Sequence, residues 1–330
     1  MGQKKVKYKI ALIGGVTSTE TTLYSLHKHD FTFVDVYGFE PLQNTNVSGY
    51  RYLKNIADNL NYNYYAFKNI NDHALDIINR TYDFIMVVGL SQLVCNQIIT
   101  SAKIGCIGFH PTKLPKGRGR APIAWLVLNE IEGAASFFQI KPDTDADSGP
   151  LLVQSVFEID NEHDTAASVE NKILTHIELA LGKWLPNIAN GEWSPLEQDQ
   201  SLSSEYGVRK PEDGFVNWYN TSHHINKIIR SSMPPHPGAF AFKGSKSFEI
   251  RNSKIKQIIN IEGVVGRILK KINNNYLVQT GEGSIWIETD IDLKVGTQLG
   301  TNSPYEIFQL YKKIQSLEEA IRHITHQKEN

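Results

Sequence analysis

The chain has 330 residues, of which 41% are hydrophobic and 21% are charged, and its formal net charge is −1. This length is sufficient for two domains with separate hydrophobic cores, and the composition is typical of a globular protein. The near-neutral charge excludes a general electrostatic attraction to nucleic acid, and no apolar run approaches the roughly 20 residues of a membrane span. The polar start Met-Gly-Gln-Lys-Lys lacks a signal-peptide core, so we expect a cytoplasmic protein without a membrane partner.

The first half of the chain alternates short apolar runs with helical segments. The apolar runs predict strands at 8–13, 31–37, 83–88, 104–109, 134–140 and 151–159. Helical patterns lie at about 50–60, 72–79 and 123–130, and a polar, Asn-rich stretch at 39–50 predicts a loop. This alternation favours an α/β fold in which a parallel sheet carries helices on both faces.

A Gly14-Gly15 turn separates the first predicted strand from a helix start at Thr17. Backbone N–H groups at such a turn can receive a phosphate group. The segment lacks the dinucleotide-binding fingerprint and the lysine of a phosphate-binding loop. Both a phosphate site and a plain tight turn therefore stay open.

The segment 107–122 combines a buried strand with a basic loop. We expect the strand to stop at His110, which Pro111 follows, and further prolines and glycines to hold the loop in a defined path. Open α/β sheets keep their chemistry at the carboxyl ends of their strands. His110 is therefore a candidate catalytic residue, although a loop hydrogen bond would also explain it. Arg118 and Arg120 either order the loop or contact an anionic group.

A second candidate loop carries Asp143, Asp145 and Asp147 just before a Gly-Pro turn. A histidine and an aspartate on two strand-end loops can meet across a sheet edge and form an acid–base pair. A solvated acidic turn is the alternative interpretation of the three carboxylates.

A long amphipathic helix follows, for which we expect Asp164 as the N-terminal cap and Asn190-Gly191 as the end. Its apolar residues recur every three or four positions and predict a stripe that faces the core: Val169, Ile173, Ile177, Leu181, Trp184 and Ile188. The polar connector at 196–206 predicts a domain boundary. The expected division is 1–205, 206–300 and 301–330.

Short alternating runs at 239–242, 247–250, 263–271, 275–280 and 284–289 predict a small β-barrel. A helix at 304–326 is expected to close the domain through one apolar face, which is formed by Ile307, Leu310, Ile314, Leu317 and Ile321. The adjacent His223 and His224 would point in different directions on a helix, so we predict no metal site.

Two motifs resemble those of the 10-formyltetrahydrofolate-dependent formyltransferases. The family's Asn-x-His-Pro-x-x-Leu-Pro-x-x-Arg-Gly corresponds to Gly108-Phe-His110-Pro111-Thr-Lys-Leu114-Pro115-Lys-Gly-Arg118-Gly119, and its Asp-x-Gly-x-Leu/Ile corresponds to Asp147-Ser-Gly149-Pro-Leu151. The chain is most similar to the members that act on nucleotide-linked amino sugars. The resemblance implies a Rossmann-like catalytic domain with a mostly parallel sheet, an OB-like β-barrel and a terminal helix.

The resemblance also implies roles for individual residues. His110 would be the base or the oxyanion partner, and Asp147 would hold its tautomer as the carboxylate of a catalytic triad does. Asp143 and Asp145 would contact the co-substrate, 10-formyltetrahydrofolate. Its pterin would lie on the backbone of Val88, Gly89, Leu90, Ser91, Gln92 and Leu93, unless these residues form an ordinary strand-to-helix loop.

Gly108 stands where the family has the asparagine whose amide would donate to the oxyanion. Because glycine has no side chain, we expect open space beside His110. A protonated His110, helped by a backbone N–H or an ordered water, would then carry the developing charge. An amide from elsewhere, such as Gln92 or Asn96, is the alternative donor.

The charge distribution favours a small acceptor over tRNA. Residues 39–63 contain one Arg and one Lys, whereas phosphate contacts dominate the binding of nucleic acid. For a small acceptor, the resemblance implies a nucleotide-linked amino sugar used for surface polysaccharide such as the O-antigen of lipopolysaccharide. The residues expected to bind it are Gly14, Gly15, Pro111, Lys113, Arg118, Arg209, Trp218 and Arg230, the last three of which could instead, with Phe240, pack between the domains.

Three other functions stay open at this point. The chain could be a methionyl-tRNA formyltransferase, a formyltetrahydrofolate hydrolase or a folate-binding module without turnover. The resemblance is compatible with a homodimer, and the near-neutral charge leads us to expect no nucleic-acid partner.

Overall fold

The computed structural model describes residues 6–42, 47–256, 261–300 and 303–328, so residues 43–46 of the predicted polar loop lie outside the described part. The chain divides into two compact units. The first comprises Met1–Asp213 and Arg230–Pro237, and the second comprises Gly214–Ile229 and Gly238–Asn330.

A seven-stranded sheet forms the centre of the first unit. Its strands are β1 (Val6–Gly14), β2 (Phe31–Phe39), β3 (Asn63–Phe67), β4 (Phe84–Val87), β5 (Gly105–Thr112), β7 (Gly133–Ile140) and β8 (Leu151–Phe157). They lie in the order β3-β2-β1-β4-β5-β7-β8. The first five pair in parallel, and β7 and β8 pair antiparallel. The predicted α/β fold with a mostly parallel sheet is confirmed.

The central strands are buried on both faces. Successive side chains of a strand point to opposite sides of the sheet, and a core cluster covers each side. In β1, Ile10 and Leu12 pack into one core cluster, whereas Ala11 and Ile13 pack into a second cluster. A strand covered on both faces appears in the sequence as a continuous apolar run, which is why β1 was predictable.

Six helices accompany the sheet within the described part of this unit. They are α1 (Thr17–Lys28), α2 (Lys54–Asn59), α3 (Ala74–Arg80), α4 (Asn96–Ser101), α5 (Pro122–Asn129) and α6 (Ala166–Ala189). Helix α4 and strand β3 were not predicted. Both are short, and α4 covers fewer than two turns, so neither carries a periodic pattern that sequence can display.

Helix α6 contains the predicted apolar stripe, and all six of its stripe residues are buried. The predicted cap was wrong. Thr165 is the N-cap and accepts from the Ser168 N–H, whereas the Asp164 carboxylate accepts from the Ser168 hydroxyl and the Lys172 ammonium group. Asp164 lies one residue too early to reach the N–H groups of the first turn.

Thr19 of α1 connects the strand ends that lie nearest the candidate site. Its buried hydroxyl accepts from the Gly15 N–H at 3.0 Å and donates to the Val88 carbonyl at 2.7 Å.

We expect Thr19→Val to lower the free energy of unfolding by about 1–3 kcal/mol, because it leaves both backbone groups without this partner. Thr22→Val is the matched control, since the buried Thr22 hydroxyl donates only to a carbonyl one helical turn earlier. Both free energies of unfolding are measured by urea denaturation. An equal decrease in the two variants would contradict the bridging role of the Thr19 hydroxyl.

The second unit is built from antiparallel strands. β10 (Ala239–Lys243) pairs with β11 (Lys246–Ile250), and a four-stranded sheet contains β12 (Asn252–Lys254), β13 (Ile268–Ile272), β14 (Asn275–Gln279) and β15 (Ser284–Glu288) in the order β12-β15-β14-β13. The strand predicted at 263–271 begins only at Ile268. Gly266 has a φ of +79°, and the Arg267 N–H donates to the Val264 carbonyl at 2.9 Å, so a turn at Val265 and Gly266 delays the strand.

Two helices complete the described chain. Helix α7 (Ser222–Ser232) begins in the second unit, and its last residues belong to the segment Arg230–Pro237 of the first unit. Helix α8 (Ser303–Lys328) confirms the predicted terminal helix. The apolar face of α8 does not close a domain as expected, because its residues are exposed to solvent. No helix within the described ranges is long and apolar enough to cross a membrane.

Candidate active site

A cavity of about 1000 Å³ opens at the carboxyl ends of β4 and β5, within the first unit. Its lining includes the three predicted catalytic positions, Gly108, His110 and Asp147. The helix start at Thr17, the loop after β4 and the acidic loop 143–147 form other parts of the wall. The structure therefore brings together segments that are more than a hundred residues apart in sequence, at the sheet edge where α/β folds bind ligands.

His110 lies inside β5, which continues to Thr112 instead of stopping at the histidine. Pairing with β7, where His110 lies opposite Ser136, holds the backbone on one side. The ring is buried, and its Nε2 lies 2.8 Å from the Gly117 carbonyl. A carbonyl oxygen only accepts, so Nε2 carries a hydrogen and donates it.

The other ring nitrogen of His110 faces the predicted partner. Nδ1 lies 3.4 Å from Oδ2 of Asp147. In a catalytic triad the carboxylate holds one imidazole nitrogen and the second faces the substrate. Here the Gly117 carbonyl fixes the tautomer of His110 by accepting from Nε2, and the Asp147 carboxylate lies beside Nδ1. The arrangement thus differs from the triad-like geometry that the sequence suggested.

The loop that carries Asp147 is closely fitted to its neighbours. Oδ2 of Asp147 accepts from the Gly119 N–H at 3.0 Å, which places the carboxylate between the histidine loop and its own loop. Gly149 lies so close to the Gln139 carbonyl that no Cβ would fit there. This close approach gives a physical reason for the Asp-x-Gly spacing: the glycine lets the chain turn against β7 and aim Asp147 at His110.

Gln198, which no motif marks, joins the loops of Arg118 and Asp147. Its buried side chain donates to the carbonyls of Asp147 and Gly149 at 2.8 and 2.6 Å, and accepts from the Arg118 guanidinium at 2.8 Å. Arg118 is itself buried, so its role in this structure is to order the loop. No sequence signal marked Gln198, because it lies in the segment predicted to be a polar connector.

The rest of that connector also supports the histidine loop. Strand β6 (Arg118–Gly119) pairs with β9 (Glu205–Tyr206), and the Ser204 hydroxyl accepts from the Gly117 N–H at 2.9 Å. The Gly117 carbonyl that binds His110 is thereby held from the other side. Residues 198–206 therefore support the loops of His110 and Asp147 from outside the cavity lining, instead of forming a free linker.

Gly108 does not leave the open space that we expected. A Cβ at this position would lie 2.5 Å from Cζ of Phe138 and 3.0 Å from Cγ1 of Ile140. Gly108 and Phe138 are opposite each other in the β5–β7 ladder. The Phe138 ring therefore occupies the room beside Gly108, which an asparagine side chain would need.

The two amides considered as replacements are both engaged. Gln92 accepts from the Ile70 N–H and donates to the Lys68 carbonyl at 2.6 Å. Asn96 donates to Oδ1 of Asp143 at 2.7 Å. Gln92 is thus tied to backbone, whereas the Asn96–Asp143 pair lies in the cavity wall.

The loop after β4 supplies most of the predicted co-substrate residues. Gly89, Leu90, Ser91, Gln92 and Leu93 line the cavity, as do Asp143 and Asp145. Val88 is buried and outside the lining, and its N–H and carbonyl are bonded to Ile13 and Thr19. Gly89 has a φ of +65° and lies against Val16 and Ser18, which brings this loop to the start of α1.

The predicted phosphate turn is used differently. Gly14 and Gly15 lie outside the cavity lining. The Gly15 N–H is donated to Thr19, and a Cβ on Gly14 would collide with the Val88 carbonyl and with Thr19. These glycines permit close packing of β1, β4 and α1, which is the plain-turn alternative.

The other residues predicted to bind the acceptor are scattered. Pro111 lines the cavity, whereas Lys113 pairs with Glu132 at 2.6 Å on the surface. The Arg209 guanidinium lies over the Trp125 ring, and Trp218 belongs to the core of the second unit. Arg230 is buried and donates to the carbonyls of Asp164 and Asn161 and to the Glu130 carboxylate. The cavity lining therefore lacks five of the residues predicted to bind the acceptor: Lys113, Arg118, Arg209, Trp218 and Arg230.

Several lining residues were not predicted. Glu170 on α6 accepts from the Thr17 hydroxyl at 2.6 Å, and His236 donates from Nδ1 to the Ser231 carbonyl at 2.8 Å. Burial lowers the pKa of His236, an effect that its hydrogen bond to Ser231 and the nearby Glu170 charge oppose. Arg120, a candidate anion contact from the sequence, is exposed and lines the cavity.

No group of three or more His, Cys, Asp and Glu side chains in the described part of the chain is arranged to hold a metal ion.

Two family models match the sequence. One, described as formyl transferase, matches residues 57–183, and the other, described as formyl transferase, C-terminal domain, matches residues 209–300. The first match contains β5, His110, the acidic loop and Asp147. The second contains all strands from β10 to β15.

Solved structures with a similar fold include sugar-modifying enzymes. WlaRD, a sugar 3N-formyl transferase solved in the presence of dTDP and 5-N-formyl-THF, has a TM-score of 0.62 and 19% identity, with coverage of 87% of this chain and 99% of that chain. The N-formyltransferase from Helicobacter canadensis, in complex with folinic acid and dTDP-3-aminofucose, has a TM-score of 0.63 and 18% identity over 86% and 99% of the two chains.

A third similar structure belongs to a larger protein. HypX from Aquifex aeolicus, solved with tetrahydrofolic acid, has a TM-score of 0.60 and 13% identity; the match covers 85% of this chain and 43% of that one. At these identities the three likenesses establish the fold.

Proposed function

We propose, because the chain belongs to the formyl transferase family, that it transfers the formyl group of 10-formyltetrahydrofolate to the amino group of a nucleotide-linked amino sugar. The observation that carries this proposal is the contact between His110 and Asp147 in the wall of a cavity large enough for two substrates. The ligands of WlaRD and of the Helicobacter canadensis enzyme, a formylated folate with dTDP or a dTDP-amino sugar, support the choice of substrates.

The proposed reaction begins with attack of the sugar amine on the formyl carbon. This forms a tetrahedral intermediate with a negative oxygen, and the amine must lose a proton. With Nε2–H committed to Gly117, the neutral His110 ring offers the Nδ1 lone pair as the base. The resulting imidazolium would lie between two acceptors, the Gly117 carbonyl and the Asp147 carboxylate.

The second half of the reaction breaks the bond between the formyl carbon and N10. As the intermediate collapses, the oxygen's electron pair re-forms the carbonyl and N10 leaves as an amine that requires a proton. The imidazolium can return the proton taken from the acceptor, so the step is balanced without water or a metal. Asp147 would stabilise the charged ring throughout.

The folate would occupy the part of the cavity between the loop after β4 and the acidic loop. Backbone groups of 89–93 can recognise the polar edge of a pterin, and Asp143 and Asp145 lie on the opposite loop. The acceptor would occupy the remaining wall, which includes Ser48, Arg120, Glu170 and His236. Arg120 supplies a cation for a phosphate group.

The surface charge supports a small acceptor. The two basic residues of segment 39–63 are both paired: Arg51 with Glu20 at 2.9 Å, and Lys54 with Asp58 at 2.7 Å. Such pairing reduces the positive charge that this segment could present to a nucleic-acid backbone.

A panel of acceptors tests the proposal directly. The full chain is incubated with 10-formyltetrahydrofolate and dTDP- or UDP-linked sugars that carry the amine at carbon 3 or carbon 4. We expect tetrahydrofolate release and an equal amount of N-formyl sugar, detected by mass spectrometry, with at least one member of the panel. The matching hydroxyl sugars serve as controls and should give neither product.

The same assay distinguishes the alternatives. Tetrahydrofolate and formate released without an amine would identify a hydrolase. Methionyl-tRNA formylated as fast as the best sugar would identify a tRNA-modifying enzyme. Folate binding without transfer to any amine would contradict catalysis.

A further inference from the structure

The terminal helix α8 has an apolar pattern unlike that of the core helices. Isoleucines recur every seven residues at Ile307, Ile314 and Ile321, and each of the first two is followed three positions later by a leucine, Leu310 or Leu317. In sequence, Ile324 continues the same alternation. Spacings of three and four that alternate strictly average 3.5 residues, which is the repeat of a coiled coil.

This apolar face is exposed to solvent. The exposed fractions of Ile307, Leu310, Ile314, Leu317 and Ile321 lie between 49% and 60%. Helix α6 provides an internal comparison, because its stripe is wider, with spacings mostly of four, and is buried in the core. A stripe of large aliphatic side chains that remains in water marks an interaction surface.

We propose that α8 associates with α8 of a second copy of this chain to form a parallel two-stranded coiled coil, so that the protein is a homodimer. The shapes of the apolar side chains of α8 indicate a second copy of this helix as the partner. Isoleucine at the first apolar position of each heptad and leucine at the second favours two parallel strands over three or four.

Charge complementarity selects the same arrangement. With Ile307, Ile314 and Ile321 at the first heptad position, Lys313 and Glu318 occupy the two positions that flank the seam. Both are exposed. In a parallel pair in register, Lys313 of each helix lies beside the partner's Glu318, which gives two ion pairs by symmetry. In an antiparallel pair with all apolar positions matched, Glu318 instead faces the partner's Tyr311.

The first test measures the mass of the full chain in solution by sedimentation equilibrium. We expect a dimer at about 10 µM, and Leu317→Lys should raise the dissociation constant by about 100-fold or more, because it places two charges in the apolar seam. Gln315→Lys is the matched control: it adds the same charge on the same helix, but at a position that points away from the seam. It should leave the mass unchanged.

A monomeric wild-type chain at this concentration would overturn the proposal. So would a dimer that survives Leu317→Lys, which would place the interface elsewhere, or a trimer. Because the described side chains of α8 are exposed, Leu317→Lys should keep the thermal stability of the rest of the chain, which a melting curve of the monomeric variant verifies.

A second test fixes the orientation. Lys313→Glu and Glu318→Lys each place like charges across the parallel seam and should weaken the dimer by about tenfold. An equimolar mixture of these two variants should recover wild-type affinity, because each helix then meets the opposite charge on its partner. Single variants that dimerise as the wild type does would contradict the parallel arrangement.

Discussion

His110→Asn is expected to lower kcat by about 10²–10⁴ while the protein stays folded. Asparagine removes the imidazole that donates to Gly117 and faces Asp147, and it supplies no base of suitable strength. The measurement is the steady-state rate of formyl transfer, combined with the affinity for 5-formyltetrahydrofolate, which reports whether the folate part of the site is intact.

Asp147→Asn should give a loss in the same range for a different reason. The amide keeps the size of the carboxylate and can still accept from the Gly119 N–H. It cannot stabilise the imidazolium, and its NH₂ group can donate to Nδ1 and so occupy the lone pair that would serve as base. The double variant should be scarcely slower than either single variant, because the two residues act as a unit.

His176→Asn is the matched control for the histidine. His176 lies on α6 in the same unit, where its Nδ1 is 2.9 Å from the Ser155 hydroxyl, and it is outside the cavity lining. It should transfer formyl groups at the wild-type rate. If His110→Asn kept more than about a tenth of that rate with chemistry limiting, its assignment as the catalytic base would be withdrawn.

Gly108→Asn, which restores the residue typical of the family, is expected to damage this enzyme. The new Cβ would lie 2.5 Å from the Phe138 ring, so the β5–β7 ladder beside His110 must shift. Overpacking of this kind costs about 1–3 kcal/mol of stability. A displaced His110 should also slow turnover by at least tenfold, since small errors of position cost large factors in rate. Gly108→Ala should show the same direction with a smaller effect.

A second substitution tests the cause. If the Phe138 ring is what excludes the asparagine, Gly108→Asn combined with Phe138→Leu should recover stability and part of the rate relative to Gly108→Asn alone. Phe138→Leu by itself should be less stable than wild type, because it leaves a cavity. Additive losses in the double variant would show that Phe138 is not the obstacle, and full activity of Gly108→Asn alone would contradict the clash itself.

The alternation of strands and helices along the first half of the chain, and the place of the His110 motif on a strand of the sheet, were predictable from the sequence. Strand β1 and helix α6 bury their apolar side chains at the period that defines each element, so a local pattern suffices to recognise them. The motifs around His110 and Asp147 predicted the family, and the structure places the two side chains 3.4 Å apart, as the proposed pair requires. Gly149 also follows from the motif, since only glycine fits against the Gln139 carbonyl.

What the tertiary structure alone decided depends on contacts between distant residues. The space beside Gly108 is taken by Phe138 of another strand, and the tautomer of His110 is set by Gly117 instead of Asp147. Gln198 holds the Asp147 loop across some fifty residues of chain. A one-dimensional pattern carries no record of such pairings, because each depends on which segments the sheet brings together.

Helix α8 illustrates which of its properties the sequence predicts and which only the folded structure shows. Its helical period and its strict repeat were written in the sequence, and they predicted an apolar face on a terminal helix. Whether that face packs on its own domain or remains in water is a property of the folded chain, since amphipathicity specifies that a partner is needed but not which one. Only the exposure of Ile314 and Leu317 directs the helix to a partner outside the chain.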